Sequence, residues 1–226
     1  MEIIEILWAV AMAAWTLMVI YGTRWTYNRW TSQGMEEMVA VYYNRKIVHM
    51  LAAGVVLLVV PFVFTNPIFP LIGGLCLGGF TAFMHRSEHR MYWMQNPENM
   101  NDSSFAIMLG LSVYLLWVLF DDPWLAVLPS LFMAFGDGVT GVVRNKMFSK
   151  RTKSGWGNVA MAIVCLPMGW FIGAASITSI PLWGLMSGAL ASFVERYEFG
   201  PIDDNILIAV ASTLLLIVGA TYGPLF

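Results

Sequence analysis

Long apolar stretches alternate with short polar ones along the whole chain. Eight of them approach the length of a bilayer span: 3–22, 47–64, 67–84, 104–120, 123–143, 158–176, 180–194 and 206–224. A helix needs about 20 mainly apolar residues to cross the hydrocarbon core. Several stretches are shorter, so the count ranges from seven to nine. Ten-residue segments of alternating hydrophobicity, the mark of a transmembrane barrel, are absent. Helices satisfy their own backbone groups in lipid. The predicted fold class is therefore all-α, a polytopic integral membrane protein of about eight transmembrane helices. No low-complexity stretch, long linker or internal repeat divides residues 1–226, which predicts a single membrane domain.

Composition agrees with this pattern. Of 226 residues, 58% are hydrophobic and 12% charged, and the mean hydropathy is +0.69. A soluble domain carries about twice that charge. The net charge of −2 matters less than where the cations lie. All twelve Lys and Arg fall in alternate connections: four in 23–46, two in 85–103, five in 144–157 and one, Arg196, in 195–205. The connections near 65–66, 121–122 and 177–179 contain none. Positive loops stay cytoplasmic, so both termini are predicted on the outer side. Glu2, Glu5, Asp121 and Asp122 fall on that outer side. Cys76 and Cys165 lie inside apolar runs, and no disulfide is expected. The first segment is too long for a signal-peptide core and has no basic leader or A-x-A site, so it is expected to be retained.

Four polar clusters fall on the predicted cytoplasmic side. The richest is 135–158, FGDGVTGVVRNKMFSKRTKSGWGN. Asp137 follows an uncharged apolar run, and an ionisable residue at a membrane edge is functional by default. Gly136 and Gly138 would let backbone N–H groups or a metal approach closely. Arg144, Lys146, Lys150, Arg151, Lys153 and Ser154 then offer charge and hydrogen bonds to phosphates. A helix cap followed by a basic stop signal is the structural alternative.

The second cluster, Asn44-Arg45-Lys46-Ile47-Val48-His49, places Arg45 and His49 on one helical face. Its structural alternative is an anchor of basic residues at a helix end. The third cluster is Glu195 with Asp203, Asp204 and Asn205 beyond Gly200-Pro201. Acids and Asn suit a helix N-terminus, but three in a row beside Glu195 also suit Mg²⁺. The fourth, His85-Arg86-Ser87-Glu88-His89-Arg90, matches H-x-x-E-H, a zinc-protease pattern that requires a helix and a third ligand. No third ligand can be assigned.

Taken together in chain order, the clusters resemble the phytol kinase and dolichol kinase family of polytopic membrane enzymes, relatives of CTP:phosphatidate cytidylyltransferases. The resemblance covers about 44–210. R-K-x-x-H stands here as Arg45, Lys46 and His49. G-D-G-V stands as Gly136, Asp137, Gly138 and Val139. K-S-x-x-G-S stands as Lys153, Ser154 and Gly157, with Asn158 in the serine place. The E…D-D-N element stands as Glu195, Asp203, Asp204 and Asn205. The V-G-R-x-F-G stretch that usually follows the aspartate reads Val143-Arg144-Asn145-Lys146-Met147-Phe148-Ser149 and lacks both glycines.

The resemblance implies a lipid kinase that moves the γ-phosphoryl group of CTP to a long-chain isoprenoid alcohol, with Mg²⁺ as cofactor. Its implied metal ligands are Asp137, Glu195, Asp203, Asp204 and Asn205. The nucleotide would meet Arg45, Lys46, Gly136, Gly138, Arg144, Lys150, Arg151, Ser154, Gly157 and Asn158. Asp137, Lys153, Asp204 and His49 would serve catalysis, and either a carboxylate or His49 would accept the alcohol proton. The expected partners are the bilayer, the nucleotide and the lipid alcohol, with no nucleic acid. The expected membrane is a prokaryotic plasma membrane, or an endomembrane such as the ER or plastid envelope.

Two rivals share the chemistry. A cytidylyltransferase making a CDP-lipid usually has an acid soon after its cationic run, and Ser149–Ser154 lacks one. A CDP-alcohol phosphotransferase needs two further spaced aspartates, and no Asp lies between 138 and 202. A rival of another class is a transporter using the acids as a cation pathway. Transporter sites lie near the midplane and often between inverted repeats, whereas these charges gather at one edge.

Overall fold

The computed structural model describes residues 3–148 and 154–225. The eight predicted segments are all helical: α1 (Ile3–Ser32), α2 (Glu37–Val63), α3 (Ile68–Arg86), α4 (Asn101–Phe120), α5 (Pro123–Met147), α6 (Gly155–Ala175), α7 (Pro181–Val194) and α8 (Asp204–Tyr222). Seven are long and apolar enough to span a membrane, and α7, at 14 residues, is shorter. No strand is present among the described residues, and a lone bridge joins Phe199 to Ile202. The protein is a polytopic membrane protein.

Helix α5 is the axis of the bundle. About 78% of its most apolar window is buried, against 17–44% in the other spans. Leu125, Leu128, Leu131, Phe132 and Met133 are fully enclosed. The remaining helices expose large apolar side chains on their outer faces, as a lipid surround would permit.

Small residues bring neighbouring helices close, as expected where lipid supplies no hydrophobic drive between them. A Cβ added at Gly74 of α3 would lie 2.7 Å from Ala106 O and 2.8 Å from Gly110 Cα in α4. Gly169 and Gly184 play the same part between α6 and α7. Gly74 and Gly78 meet α4, while Gly73 and Gly79 face open space.

Two helices contain π-helical turns, Val48–Gly54 in α2 and Phe132–Asp137 in α5, and these segments pack on each other. A π turn inserts an extra residue and re-aims the side chains around it, often at a functional site. Here one carries His49 and the other ends on Asp137.

Side-chain bonds define two ends of the bundle. At one end, Glu5 accepts from the Thr65 N–H at 2.7 Å and its hydroxyl at 2.8 Å. Asp122 caps α5 through Leu125 N–H and accepts from Thr178 N–H at 2.9 Å. Trp183 donates to Gly223 O at 3.1 Å, and Phe62 meets Trp124 edge-on. Both termini therefore share this end. The opposite end gathers the starts of α2, α4 and α8 with the ends of α5 and α7.

The polar connections are shorter than their sequence suggests. The stretch 23–46 looks like one long basic loop, yet α1 runs to Ser32 and α2 begins at Glu37. Tyr27, Ala40 and Val41 bury themselves with Ile20, Met91, Trp93 and Met94, and that apolar cluster sustains both helices. The connection 87–100 is tucked inward at Met91, Trp93, Met94 and Gln95, while Glu88, His89, Pro97 and Glu98 stay exposed. Asn44 Nδ2 donates to Thr23 O at 2.6 Å and Trp93 O at 2.9 Å, and Gln95 Nε2 donates to Thr81 O.

Candidate functional site

Three cations, two of them buried and Arg45 partly exposed, are each held by a carboxylate from another helix and build the site. Lys46 on α2 donates to both oxygens of Asp137 on α5, at 2.6 Å each. Arg144, one turn and more beyond Asp137, forks onto Glu195 at the end of α7 at 2.6 and 2.7 Å. Arg45 donates through Nε to Asp102 at the start of α4 at 2.9 Å. A bidentate guanidinium–carboxylate pair fixes both distance and orientation. Lys46, Asp137, Arg144 and Glu195 are each at most 6% exposed.

Glycines make room for these cations. The Lys46 chain lies where a Cβ on Gly141 would go, and the Arg144 guanidinium lies where one on Gly157 would go. Arg144 also donates to Ser154 O and to Asn158 Oδ1, both at 3.2 Å. Asn158 in turn donates to Glu195 Oε2 at 3.3 Å and to Ser192 O. Ser154, Gly157 and Asn158 thus hold the Arg144–Glu195 pair and do not themselves line the cleft.

The cleft is lined by Tyr42, Arg45, Lys46, Asn96, Asn101, Asp137, Arg144, Glu195, Asp204 and Asn205. Its inner free volume is about 40 Å³. That is room for about three water-sized groups, hence for an ion and its ligands rather than a whole nucleotide. One oxygen each of Asp137, Glu195 and Asp204 lies within 4.8 Å of the others. Helices α5, α7 and α8 therefore converge their acids on one point, although the three are 58 and 9 positions apart in sequence.

An all-oxygen set of this kind suits a hard divalent cation. Asn205 adds a further test. Its amide nitrogen donates to Asn101 O at 3.2 Å, while its buried Oδ1 accepts no hydrogen bond. A buried acceptor without a donor is costly, and a cation would satisfy it. The residues present fit Mg²⁺.

The aspartate pair divides its labour. Asp203 is the N-cap of α8, with Oδ1 accepting from Ile206 N–H at 3.0 Å and Oδ2 from the Ser104 hydroxyl. Burial pushes its carboxyl above the usual range, opposed by those two hydrogen bonds. Asp204 alone of the pair joins Asp137 and Glu195. Asp203, expected among the metal ligands, caps α8 and lies outside that three-acid group.

Gly136 and Gly138 also differ from expectation. Both are helical, and neither opens backbone to a ligand. A Cβ on Gly136 would strike Cys165 and Met161 of α6, and one on Gly138 would lie 2.7 Å from Met50 Cγ of α2. They let α5 approach its neighbours and so set the depth of Asp137. His49 does not line the cleft. Its ring stacks on Phe105 at 3.9 Å, and Nδ1 lies 3.4 Å from Asp137 Oδ2 without hydrogen-bond alignment. Lys150, Arg151 and Lys153 lie outside the described residues.

The zinc pattern lacks its geometry. His85 is on α3, but Ser87 is extended and ends the helix, so His89 does not follow one turn later. Tyr42, Asn96, Asn101 and Asp102 belong to the site without having been singled out from sequence. Asp102 reads there as an acid in the first turn of an apolar helix, a common preference. Asn96 and Asn101 reach the cleft because the 87–100 connection folds inward.

Comparisons with family profiles, with curated proteins and with solved structures return no match for this chain.

Proposed function

We propose that the protein is a lipid kinase, transferring the γ-phosphoryl group of CTP to a long-chain isoprenoid alcohol at the cytoplasmic membrane face. One observation carries this reading: Asp137, Glu195 and Asp204 converge beside Arg45, Lys46 and Arg144 at one end of a membrane bundle. Phosphoryl transfer asks mainly for alignment and charge neutralisation. This end of the molecule supplies fixed charges of both signs. The CTP and isoprenoid preferences rest on the family resemblance of residues 44–210.

Asp137, Glu195, Asp204 and Asn205 Oδ1 would hold Mg²⁺, which would neutralise charge on the triphosphate. The cleft lining has three carboxylates and three cations, a formal balance of zero. A triphosphate therefore needs more positive charge than the lining alone provides. Lys150, Arg151 and Lys153 are expected to supply it. Lys46 can keep one Asp137 oxygen and turn its remaining N–H bonds toward phosphate. Arg45 and Arg144 stay clamped by Asp102 and Glu195, which orients their outer N–H groups. The alcohol oxygen forms the new P–O bond as the bond from the γ-phosphorus to CDP breaks. The alcohol proton leaves to a carboxylate of the cleft, since His49 sits behind Asp137. The products are a lipid monophosphate and CDP.

A cation pathway is less well supported, because the ionised groups lie at one end and not at the midplane. The cytoplasmic assignment of that end rests on its cations. The test is purified protein in detergent with Mg²⁺, γ-labelled CTP or ATP, and a panel of prenols and diacylglycerols. Label in a prenyl monophosphate supports the reading. No labelled lipid with any acceptor, from protein shown to be folded, rejects it.

A further inference from the structure

Between Glu195 and Asp204 the chain makes a small hairpin that the kinase reading leaves unused. Phe199 and Ile202 exchange backbone bonds at 2.9 and 3.1 Å across Gly200-Pro201, and Gly200 adopts φ +60°. Tyr197 and Phe199 stack almost parallel, 5° apart, and Phe193 at the end of α7 meets Tyr197 at 5.5 Å. An aromatic ladder thus runs without a break from α7 into the hairpin. Phe193, Phe199 and Ile202 are 59%, 60% and 41% exposed. Arg196 reaches over the Tyr197 ring at 5.7 Å.

Helix length says what covers this ladder. Fourteen residues at about 1.5 Å each give about 21 Å. The hydrocarbon core is about 30 Å thick. Helix α7 begins at the end where the chain termini lie, level with the Asp122–Thr178 contact. Its other end therefore stops short of the opposite membrane surface, and the residues that follow must complete the crossing. Aromatic rings and a snorkelling arginine are the side chains that suit that depth.

We infer that the 197–202 hairpin is embedded in the lipid interface, with its occupant the headgroup and upper acyl region of the leaflet around the site. Both roots of the hairpin carry cleft carboxylates, Glu195 and Asp204. Its insertion then sets the cleft at lipid level, so that an acceptor with its polar group at the membrane surface reaches the carboxylates without leaving the bilayer. This placement does not depend on the reaction catalysed.

The test is electron paramagnetic resonance on the full chain in phosphatidylcholine vesicles, with Cys76→Ser to remove the exposed native thiol. Nitroxides go at Phe199→Cys, at Ile202→Cys and at Glu98→Cys, the last on the exposed polar part of the α3–α4 connection. Relaxation by oxygen, which partitions into lipid, is compared with relaxation by a water-soluble nickel chelate. The ratio of oxygen to nickel effect is expected to be several-fold higher at position 199 or 202 than at 98. Ratios at both hairpin positions no higher than at 98 overturn the proposal.

Discussion

The Lys46 ammonium sits 2.6 Å from both oxygens of Asp137, with the two side chains 7% and 5% exposed. The pair joins α2 to α5 deep in the bundle end, 91 residues apart in sequence. Removing one partner leaves the other charged and enclosed, which costs about 3–5 kcal/mol. Lys46→Met and Asp137→Asn should each lower thermal stability by that order. The double variant should lose clearly less than the sum, because neither charge is then stranded. Additive losses in a detergent melting series would show that the pair is not coupled. In both single variants phosphoryl transfer should fall by about two orders of magnitude or more, as when a charge-stabilising group is lost.

The acids of the α7–α8 region should separate by metal dependence. Glu195→Gln and Asp204→Asn should raise the Mg²⁺ concentration needed for half-maximal activity. Asp203→Ala should leave that concentration unchanged and cost about 1 kcal/mol through loss of the α8 cap. A Mg²⁺ titration of each variant at matched folded protein checks this. A shift for Asp203→Ala equal to that for Asp204→Asn would put both in the metal shell.

Much of this arrangement is legible in the residues themselves. The apolar runs locate all eight helices, and their polar ends include Arg45, Lys46, Asp137, Arg144, Glu195 and Asp204 of the cleft. Asp137 is visible because an ionisable residue after an uncharged apolar run, at a membrane edge, is functional by default. What the chain order conceals is packing. Gly136-Asp137-Gly138 looks like a ligand loop, but its glycines are helical and press against Cys165, Met161 and Met50. Asp203 and Asp204 look alike, and only the turn into α8 makes one a cap and the other a cleft residue. Asp102, Asn96 and Asn101 were hidden because their role depends on the inward fold of 87–100, held by Asn44, Trp93 and Gln95.

The glycines that accommodate cations give a test of packing. Gly157→Ala places a methyl group against the Arg144 guanidinium and should cost about 1–3 kcal/mol, with a marked loss of activity as the Arg144–Glu195 fork shifts. Gly155→Ala, where an added Cβ meets nothing, should behave like wild type. Equal activities for the two variants, measured beside their melting temperatures, would remove Arg144 from the working site.

The charge placement also predicts orientation. A reporter fused at the C-terminus should lie outside the cytoplasm, and cysteines at 33 and 98 should be labelled from the cytoplasmic side. The reverse pattern would turn the cleft away from cellular nucleotide.

The most direct test of the kinase claim compares two positions of label in the same donor. Purified protein is incubated with Mg²⁺, a prenol and either α-labelled or γ-labelled CTP, and the lipid extract is resolved. The account predicts label in a prenyl monophosphate from γ-labelled CTP alone, and its loss in Asp137→Asn. Lipid labelled from α-labelled CTP, or label from neither donor with folded protein, would contradict it.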